Sequence, residues 1–171
     1  MELYFQEKLS LNGKVEITDA EENVIYSGKR SLLTGKLILK DKDGKKLVTI
    51  VENTSLFGKI VAIFTGRTFV IKKGFKTVAK IKSKISFINQ KFRVKKLDWD
   101  ITGNFTALEY KIVKGEEPIA EIKRKKLVSL LEGYAIDIHD EEKVAEVLAV
   151  ALVLNQILKD KKKNLVSKIT N

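Results

Sequence analysis

Two runs of closely spaced basic residues are the clearest candidates for chemistry in this sequence. Lysine and arginine pair with phosphate or carboxylate oxygens, so such runs are typical of anion-binding surfaces. Their members are Lys80, Lys82, Lys84, Lys123, Arg124, Lys125 and Lys126. If the segment 98–101 is a strand, an antiparallel meander brings both runs to one rim of the sheet; if it is a loop, it does not. A solvated polar face is the simpler interpretation of the same residues.

A single histidine and several acidic residues are weaker candidates. The acidic neighbours of His139 suit turn and cap roles better than catalysis, so we interpret this histidine as structural. Asp98 and Asp100 resemble a carboxylate pair, but solvent exposure around a buried Trp99 explains them better. The segment 41–44 begins like a calcium loop, yet its glycine comes too early, so we expect a hairpin turn. We predict no catalytic residue, metal site or cofactor.

The overall charge of the chain is strongly positive. Its 33 Lys and Arg against 22 Asp and Glu give a formal charge of +11. Such a charge attracts anionic lipid, nucleic acid and acidic protein alike. The sequence has no cysteine, which excludes disulfides, thiolate metal ligands and a cysteine nucleophile. Because the first residues also lack the pattern of an export signal, we expect a cytoplasmic protein, peripheral at the membrane if lipid is its partner.

Short β-strands must position the basic runs. Residues 14–137 alternate apolar and polar side chains over short segments separated by Gly, Asn and Asp, which is the pattern of half-buried antiparallel strands. One unit recurs, with an apolar strand end, a polar turn and another apolar residue about seven positions on. It occurs at 17–24, 39–47, 71–78 and 112–119, and further strands are expected at 59–64, 90–96, 105–113 and 132–138. We predict that each repeated unit is a hairpin.

The number of strands predicts a closed barrel. About a dozen strands in an open sheet would expose unpaired edges, which closure removes. A barrel of about twelve strands is too wide for its own inward side chains to fill, because roughly eight strands already reach that limit. The interior therefore needs a plug.

The segment 141–159 can supply this plug. Asp140 is a suitable N-cap, acidic residues follow it and lysines end the segment, which is the charge order of a helix. Between these ends the helix is apolar almost all round, so it must be enclosed. A transmembrane anchor is the competing interpretation, but about 15 apolar residues are fewer than the ~20 that a bilayer requires. We predict one barrel domain at 1–159 and a basic tail at 160–171.

In the order of these parts, the chain resembles the LURP-one-related family, whose fold is that of the tubby C-terminal domain and of phospholipid scramblases. The resemblance rests on the segments 4–8, 41–51, 98–105, 119–122 and 134–138 and on the terminal helix. It implies a mostly β fold with one α-helix, an antiparallel closed barrel around that helix, and no established catalytic residues. Tubby domains are similar in fold and bind phosphoinositide head groups, whereas scramblases use palmitoylated cysteines, which this chain lacks.

The leading hypothesis is therefore a non-catalytic binding module that recognises anionic lipid head groups, or a membrane-associated partner, through a basic rim. A nucleic-acid-binding module is the alternative, although aromatic side chains in the strands are expected to pack in the core. These are Phe5, Phe64, Phe69 and Phe92. An intracellular protein-interaction scaffold and a carrier of a small apolar ligand beside the helix are two further hypotheses.

Overall fold

The structure is a computed structural model of the chain. It describes residues 1–6, 13–31, 34–52, 67–83, 91–104, 107, 109–126 and 132–169. Within these ranges, the side chains of residues 6, 83, 91, 126, 132 and 158–169 are not described. The strand predicted at 59–64 lies outside the described residues.

Twelve antiparallel strands form a closed barrel, as predicted. They are β1 (Glu2–Gln6), β2 (Lys14–Thr18), β3 (Val24–Arg30), β4 (Leu37–Asp41), β5 (Lys46–Glu52), β6 (Arg67–Lys73), β7 (Lys76–Ser83), β8 (Lys91–Lys95), β9 (Trp99–Asn104), β10 (Glu109–Lys114), β11 (Glu117–Lys126) and β12 (Glu132–Ile138). Each strand pairs with its neighbours in the chain, and β1 closes the barrel between β12 and β2. All twelve strands therefore have two partners, so the sheet has no edge.

A β-bulge lies in the second strand of each hairpin that the repeated unit predicts. In the hairpin of β10 and β11 the register shifts by one residue, which leaves Ile119 without a register partner on β10. Equivalent shifts leave Ile25, Leu47 and Val78 unpaired in the hairpins β2–β3, β4–β5 and β6–β7. A bulge increases the local twist, which helps a sheet to curve into a barrel. The four repeated units are thus hairpins, each with a bulge after its turn.

Aspartate side chains organise two of the hairpin turns. Asp41 Oδ1 accepts hydrogen bonds from the backbone N–H groups of Asp43 at 3.1 Å and Lys45 at 2.9 Å. Asp19 Oδ1 accepts the two equivalent bonds in the turn between β2 and β3. Such bonds satisfy backbone donors that the turn leaves without a strand partner. The segment 41–44 is therefore part of a hairpin turn, as predicted.

The two rims of the barrel are built differently. The short turns of the hairpins β2–β3, β4–β5, β6–β7, β8–β9 and β10–β11 all lie at one end, which we call the turn rim. The opposite end, where β7 and β11 finish, is the distal rim. Because β12 ends at the turn rim, the chain passes into the barrel from that side.

A helix fills the barrel. A 3-10 turn at Glu141–Lys143 leads into α1 (Val144–Ile169). Asp140 is the N-cap, as predicted, and its side chain accepts a hydrogen bond from the backbone N–H of Glu142 at 3.0 Å. The helix continues to Ile169, past the predicted end at residue 159 and into the segment expected to be a tail. Lysine is a good helix former, which explains why the lysine-rich segment prolongs the helix.

The apolar part of α1 is enclosed on all sides. Every side chain from Val144 to Leu154 is buried, and those of residues 147–150 have no exposed surface. These residues share one core with inward-facing side chains of the wall, among them Phe69, Trp99 and Ile101. A helix that is apolar all round is stable only inside such a shell. Within the described part of the chain, no helix has the unbroken apolar length needed to cross a bilayer.

Replacing Leu148 by lysine should unfold the domain, because an unpaired charge in an apolar interior costs at least about 3–5 kcal/mol. We expect Leu148→Lys, and a chain truncated before Asp140, to lose the cooperative thermal transition that circular dichroism measures. Val24→Lys is the matched control, since Val24 is 43% exposed and should tolerate the charge. A cooperative transition in either core variant would show that the barrel folds without its helix.

Gly103 allows β9 and β10 to approach closely. Its φ is +145°, and a Cβ at this position would overlap the carbonyl oxygen of Glu109 and lie 2.6 Å from the Cα of Tyr110. Because both obstacles are backbone atoms, no side-chain movement can relieve the overlap. The close approach therefore requires glycine.

Gly103→Ala should lower the free energy of unfolding by more than about 2 kcal/mol, since it adds a backbone clash to an unfavourable φ. Gly115→Ala is the control, because Gly115 has φ +61° with nothing within 4 Å of its Cβ position. That substitution should cost about 1 kcal/mol through backbone conformation alone. Urea denaturation measures both variants, and equal losses would argue against a steric constraint at Gly103.

Candidate functional site

The strand β9 decides where the two basic runs lie. Because residues 99–104 form a strand, β7 and β11 run in the same direction and both end at the distal rim. The described members of the runs on these two strands are Lys80, Lys82, Lys123, Arg124 and Lys125. Lys84 and the side chain of Lys126 lie outside the described residues. Three strands separate the two groups along the wall.

The two runs differ in which faces of the sheet they occupy: Lys80 and Lys82 of β7 share the outer face, whereas the run on β11 has members on both faces. On β11, Lys123 and Lys125 project from the outer face. Arg124 lies on the inner face, two residues after the buried Ile122, and is exposed near the rim. On β7, Lys80 is exposed and pairs in register with Lys95 of β8. The group on β11 thus faces solvent in two directions.

Glu121 lies on the outer face of β11 between two lysines. Its carboxylate is 2.7 Å from Lys111 Nζ and 2.8 Å from Lys123 Nζ. Hydrogen bonds from Lys111 and then from Lys123 lower the pKa of Glu121 to about 2. A carboxyl group with a lowered pKa contributes stability above its unfolded-state pKa, near 4.5, and that contribution is lost as the pH falls through about 2. The same contact raises the pKa of Lys123.

Lys125 is held by two residues of β1. Its ammonium donates to Tyr4 Oη at 3.1 Å, lies 4.6 Å from the centre of the Tyr4 ring, and is 3.4 Å from Glu2 Oε1. The hydrogen bond with Tyr4 is the main cause that raises the pKa of Lys125. Two of the predicted anion-binding lysines, Lys123 and Lys125, therefore already have protein partners.

The acidic and histidine candidates do not form a cluster. The ring of His139 is partly exposed, with Nε2 3.9 Å from Asp137 Oδ2. Trp99 is buried, as expected, whereas Asp98 lies in the turn before β9 and pairs with Arg93 at 3.4 Å. Among the described residues, no group of three or more His, Cys, Asp or Glu is placed to hold a metal ion.

Glu146 is a buried carboxylate that the sequence analysis did not single out. It lies in the first turn of α1, its side chain is 7% exposed, and Oε1 is 3.4 Å from Lys73 Nζ. Its Oε2 has no hydrogen-bond partner in the part of the chain that the structure describes. A carboxylate near the positive end of a helix stabilises that helix. The contact with Lys73 also ties α1 to the hairpin of β6 and β7, so Glu146 acts as an anchor of the plug.

A narrow crevice opens between α1 and the wall near the distal rim. Its lining includes Phe5, Tyr110, Tyr134 and Asn155, and the rings of Phe5 and Tyr134 stack with centroids 6.0 Å apart. Burial raises the pKa of the Tyr110 hydroxyl. The cavity volume is about 10 Å³, which is room for about one water molecule. This crevice is therefore far too small for the apolar ligand considered above.

A second basic region, which the sequence analysis missed, lies at the turn rim. We call it the Phe75 cluster, and it consists of Phe75 with Lys42, Lys45, Lys46, Lys72 and Lys76. These residues belong to the hairpin of β6 and β7 and to the neighbouring hairpin of β4 and β5. The available signal was an aromatic residue directly after Gly74 in a lysine-rich turn. The lysines are distant in sequence, so only the strand order shows that they are neighbours.

Comparisons with known proteins identify the family. The uncharacterised protein YxjI of Bacillus subtilis (strain 168) is 29% identical over 161 residues, which cover 92% of this chain and 94% of that protein. The X-ray structure of a protein from Arabidopsis thaliana is similar with a TM-score of 0.57 at 16% identity, covering 90% of this chain and 91% of that one. The second similarity establishes the fold alone. A family model described as LURP-one-related matches residues 1–155, and the chain belongs to the LURP-one-related family.

Proposed function

We propose that this chain is a non-catalytic binding module that recognises anionic lipid head groups through the basic residues at its distal rim. The observation that carries the proposal is that β7 and β11, which bear the two basic runs, end at the same rim. The barrel interior is occupied by α1, and the crevice beside it has room for about one water molecule. This arrangement favours a binding surface over a catalytic pocket.

The lysines on β11 would have to leave their carboxylate partners to bind a lipid phosphate. Lys123 contacts Glu121 and Lys125 contacts Glu2 on the exposed outer face. Exposed ion pairs contribute only ~0–1 kcal/mol, so each lysine can exchange its carboxylate for a lipid phosphate at small cost. Each basic residue close to an anionic bilayer gains ~1 kcal/mol. The module would then lie peripherally on the cytoplasmic face of a membrane.

Nucleic acid is the less well supported partner. Phe5 and Phe69 are buried, and Phe92 is half-buried against the core, so these rings cannot stack on bases. Phe64 lies outside the described residues. A membrane-associated protein with an acidic surface would bind the same lysines as an anionic lipid surface.

Neutralising Lys123 and Lys125 should weaken binding to anionic vesicles. We expect the protein to co-sediment at low salt with phosphatidylglycerol-rich vesicles and not with phosphatidylcholine vesicles. Lys123→Gln with Lys125→Gln should weaken this association by about tenfold. The control is Lys114→Gln with Lys143→Gln, which removes the same charge at the turn rim and should have about a twofold effect at most.

Equal losses from the two pairs of substitutions would mean that net charge, and not the distal rim, attracts the vesicles. Tighter, sequence-selective binding to DNA or RNA at physiological salt would replace the lipid proposal by the nucleic-acid alternative.

Removing the carboxylate of Glu121 should strengthen the same association. Glu121→Gln releases Lys111 and Lys123, so we expect about threefold tighter binding to phosphatidylglycerol-rich vesicles. Glu116→Gln removes an exposed carboxylate at the turn rim and changes the net charge equally, so co-sedimentation of this variant is the control. If the two variants bind alike, Glu121 does not compete with lipid for these lysines.

A further inference from the structure

Phe75 is fully exposed at the tip of a hairpin. Three large hydrophobic side chains are exposed among the described residues, Met1, Val24 and Phe75, and all three lie at the turn rim. The relative exposure of Phe75 is 105%, against 40% for Met1 and 43% for Val24. An aromatic ring left wholly in water gives up the stabilisation that burial would provide. Its position therefore needs an explanation outside the fold.

The turn itself does not require an aromatic residue. Lys73 pairs with Lys76 across a two-residue turn in which Gly74 has φ +60°. A glycine at the first of two turn positions is what such a hairpin demands, and the second position is free. The hairpin of β10 and β11 has the same geometry, with Gly115 at φ +61° and Glu116 where Phe75 stands. The scaffold thus accepts a charged residue at this position.

The lysines of the Phe75 cluster are available for an anionic partner. Within the described part of the chain, none of them forms an ion pair with a carboxylate. Nearby acidic residues are already engaged, since Asp41 accepts backbone hydrogen bonds and Asp98 pairs with Arg93. Asp43 is the exposed exception. The surface around the ring is therefore predominantly cationic.

Contacts below the tip hold the hairpin in place. Lys73, the residue before Gly74, contacts the buried carboxylate of Glu146 in α1 at 3.4 Å. Lys96, in the neighbouring turn, donates to the backbone carbonyl of Thr77 at 3.3 Å. These contacts fix the hairpin to the core and to the next turn, so the ring projects from a supported base.

We propose that the Phe75 cluster is a second membrane contact, in which the Phe75 ring enters the interface of an anionic bilayer and the lysines bind its head groups. An exposed apolar side chain beside the lysines of two adjacent hairpins matches the two layers of such a surface, in which anionic head groups cover an apolar interior. Single-stranded nucleic acid is less suited, because it binds in grooves with several aromatic side chains, whereas Phe75 is one ring on a protruding tip.

This contact is independent of the distal rim. The turn rim and the distal rim face opposite ends of the barrel, so one flat bilayer can touch only one of them at a time. Variants of Lys123 and Lys125 report on the distal rim, and variants of Phe75 report on the turn rim. The failure of one proposal is therefore distinguishable from the failure of the other.

Vesicle binding by Phe75 variants tests the proposal. In the Lys123→Gln, Lys125→Gln background, where the distal rim contributes least, Phe75→Ser leaves the charge unchanged and should reduce the remaining co-sedimentation with phosphatidylglycerol-rich vesicles by about tenfold, while the thermal transition stays intact. Adding Glu116→Phe to Phe75→Ser places a ring on the equivalent turn outside the cluster and should restore less than about half of the lost binding. In the same background, the fluorescence of Phe75→Trp should shift to shorter wavelength on binding, over the constant signal of the buried Trp99.

Four results would overturn the proposal. The first is that Phe75→Ser does not weaken the vesicle binding of the Lys123→Gln, Lys125→Gln protein. The second is unchanged emission from Phe75→Trp when the protein is bound. The third is Phe75-dependent binding to single-stranded DNA that is tighter than binding to vesicles at the same salt concentration, which would assign the cluster to nucleic acid. The fourth is complete loss of vesicle binding in the Lys123→Gln, Lys125→Gln variant, which would leave the distal rim as the membrane contact and remove Phe75 from it.

Discussion

The interior of a twelve-stranded barrel has to be filled, and α1 is what fills it. A wall of this circumference encloses more space than its inward side chains can occupy, so the apolar circumference of the helix and the apolar lining of the wall require each other. Small residues such as Ala79 and Ala149 are buried in this shared core alongside Trp99 and Phe69. The N-cap at Asp140 and the anchor between Glu146 and Lys73 place the helix at its start.

Because the helix occupies the interior, the described surfaces that can recognise a partner are outside it. The closed sheet also offers no strand edge for pairing with another chain. Recognition is left to side chains on the outer wall and at the two rims. The distal rim presents lysines that already hold carboxylates and a tyrosine, whereas the turn rim presents a free aromatic ring among lysines without carboxylate partners in the described residues.

The sequence predicts the barrel and its plug because each depends on a pattern within a continuous segment. Alternation identifies strands, and an apolar circumference identifies α1. Contacts between segments are harder to predict. Glu121 meets Lys111 only through the register of β10 with β11, and Glu2 meets Lys125 only because β1 closes the barrel beside β12. The end of α1 was misjudged because lysines serve equally as a helix end and as a continuing helix. The Phe75 cluster could not be predicted from a continuous segment, because several of its lysines lie on the neighbouring hairpin of β4 and β5.

The pairing of β1 with β12 has a consequence for how the chain reaches this structure. Strands near the two ends of the sequence must meet, and the helix that fills the barrel follows the last strand. The early hairpins can form locally, but the core is complete only after both distant parts have been synthesised. Until then, the apolar lining and two unpaired strand edges face water, which makes the partly made chain prone to aggregation. The core of this domain can therefore be completed only after the segment of α1 has been synthesised.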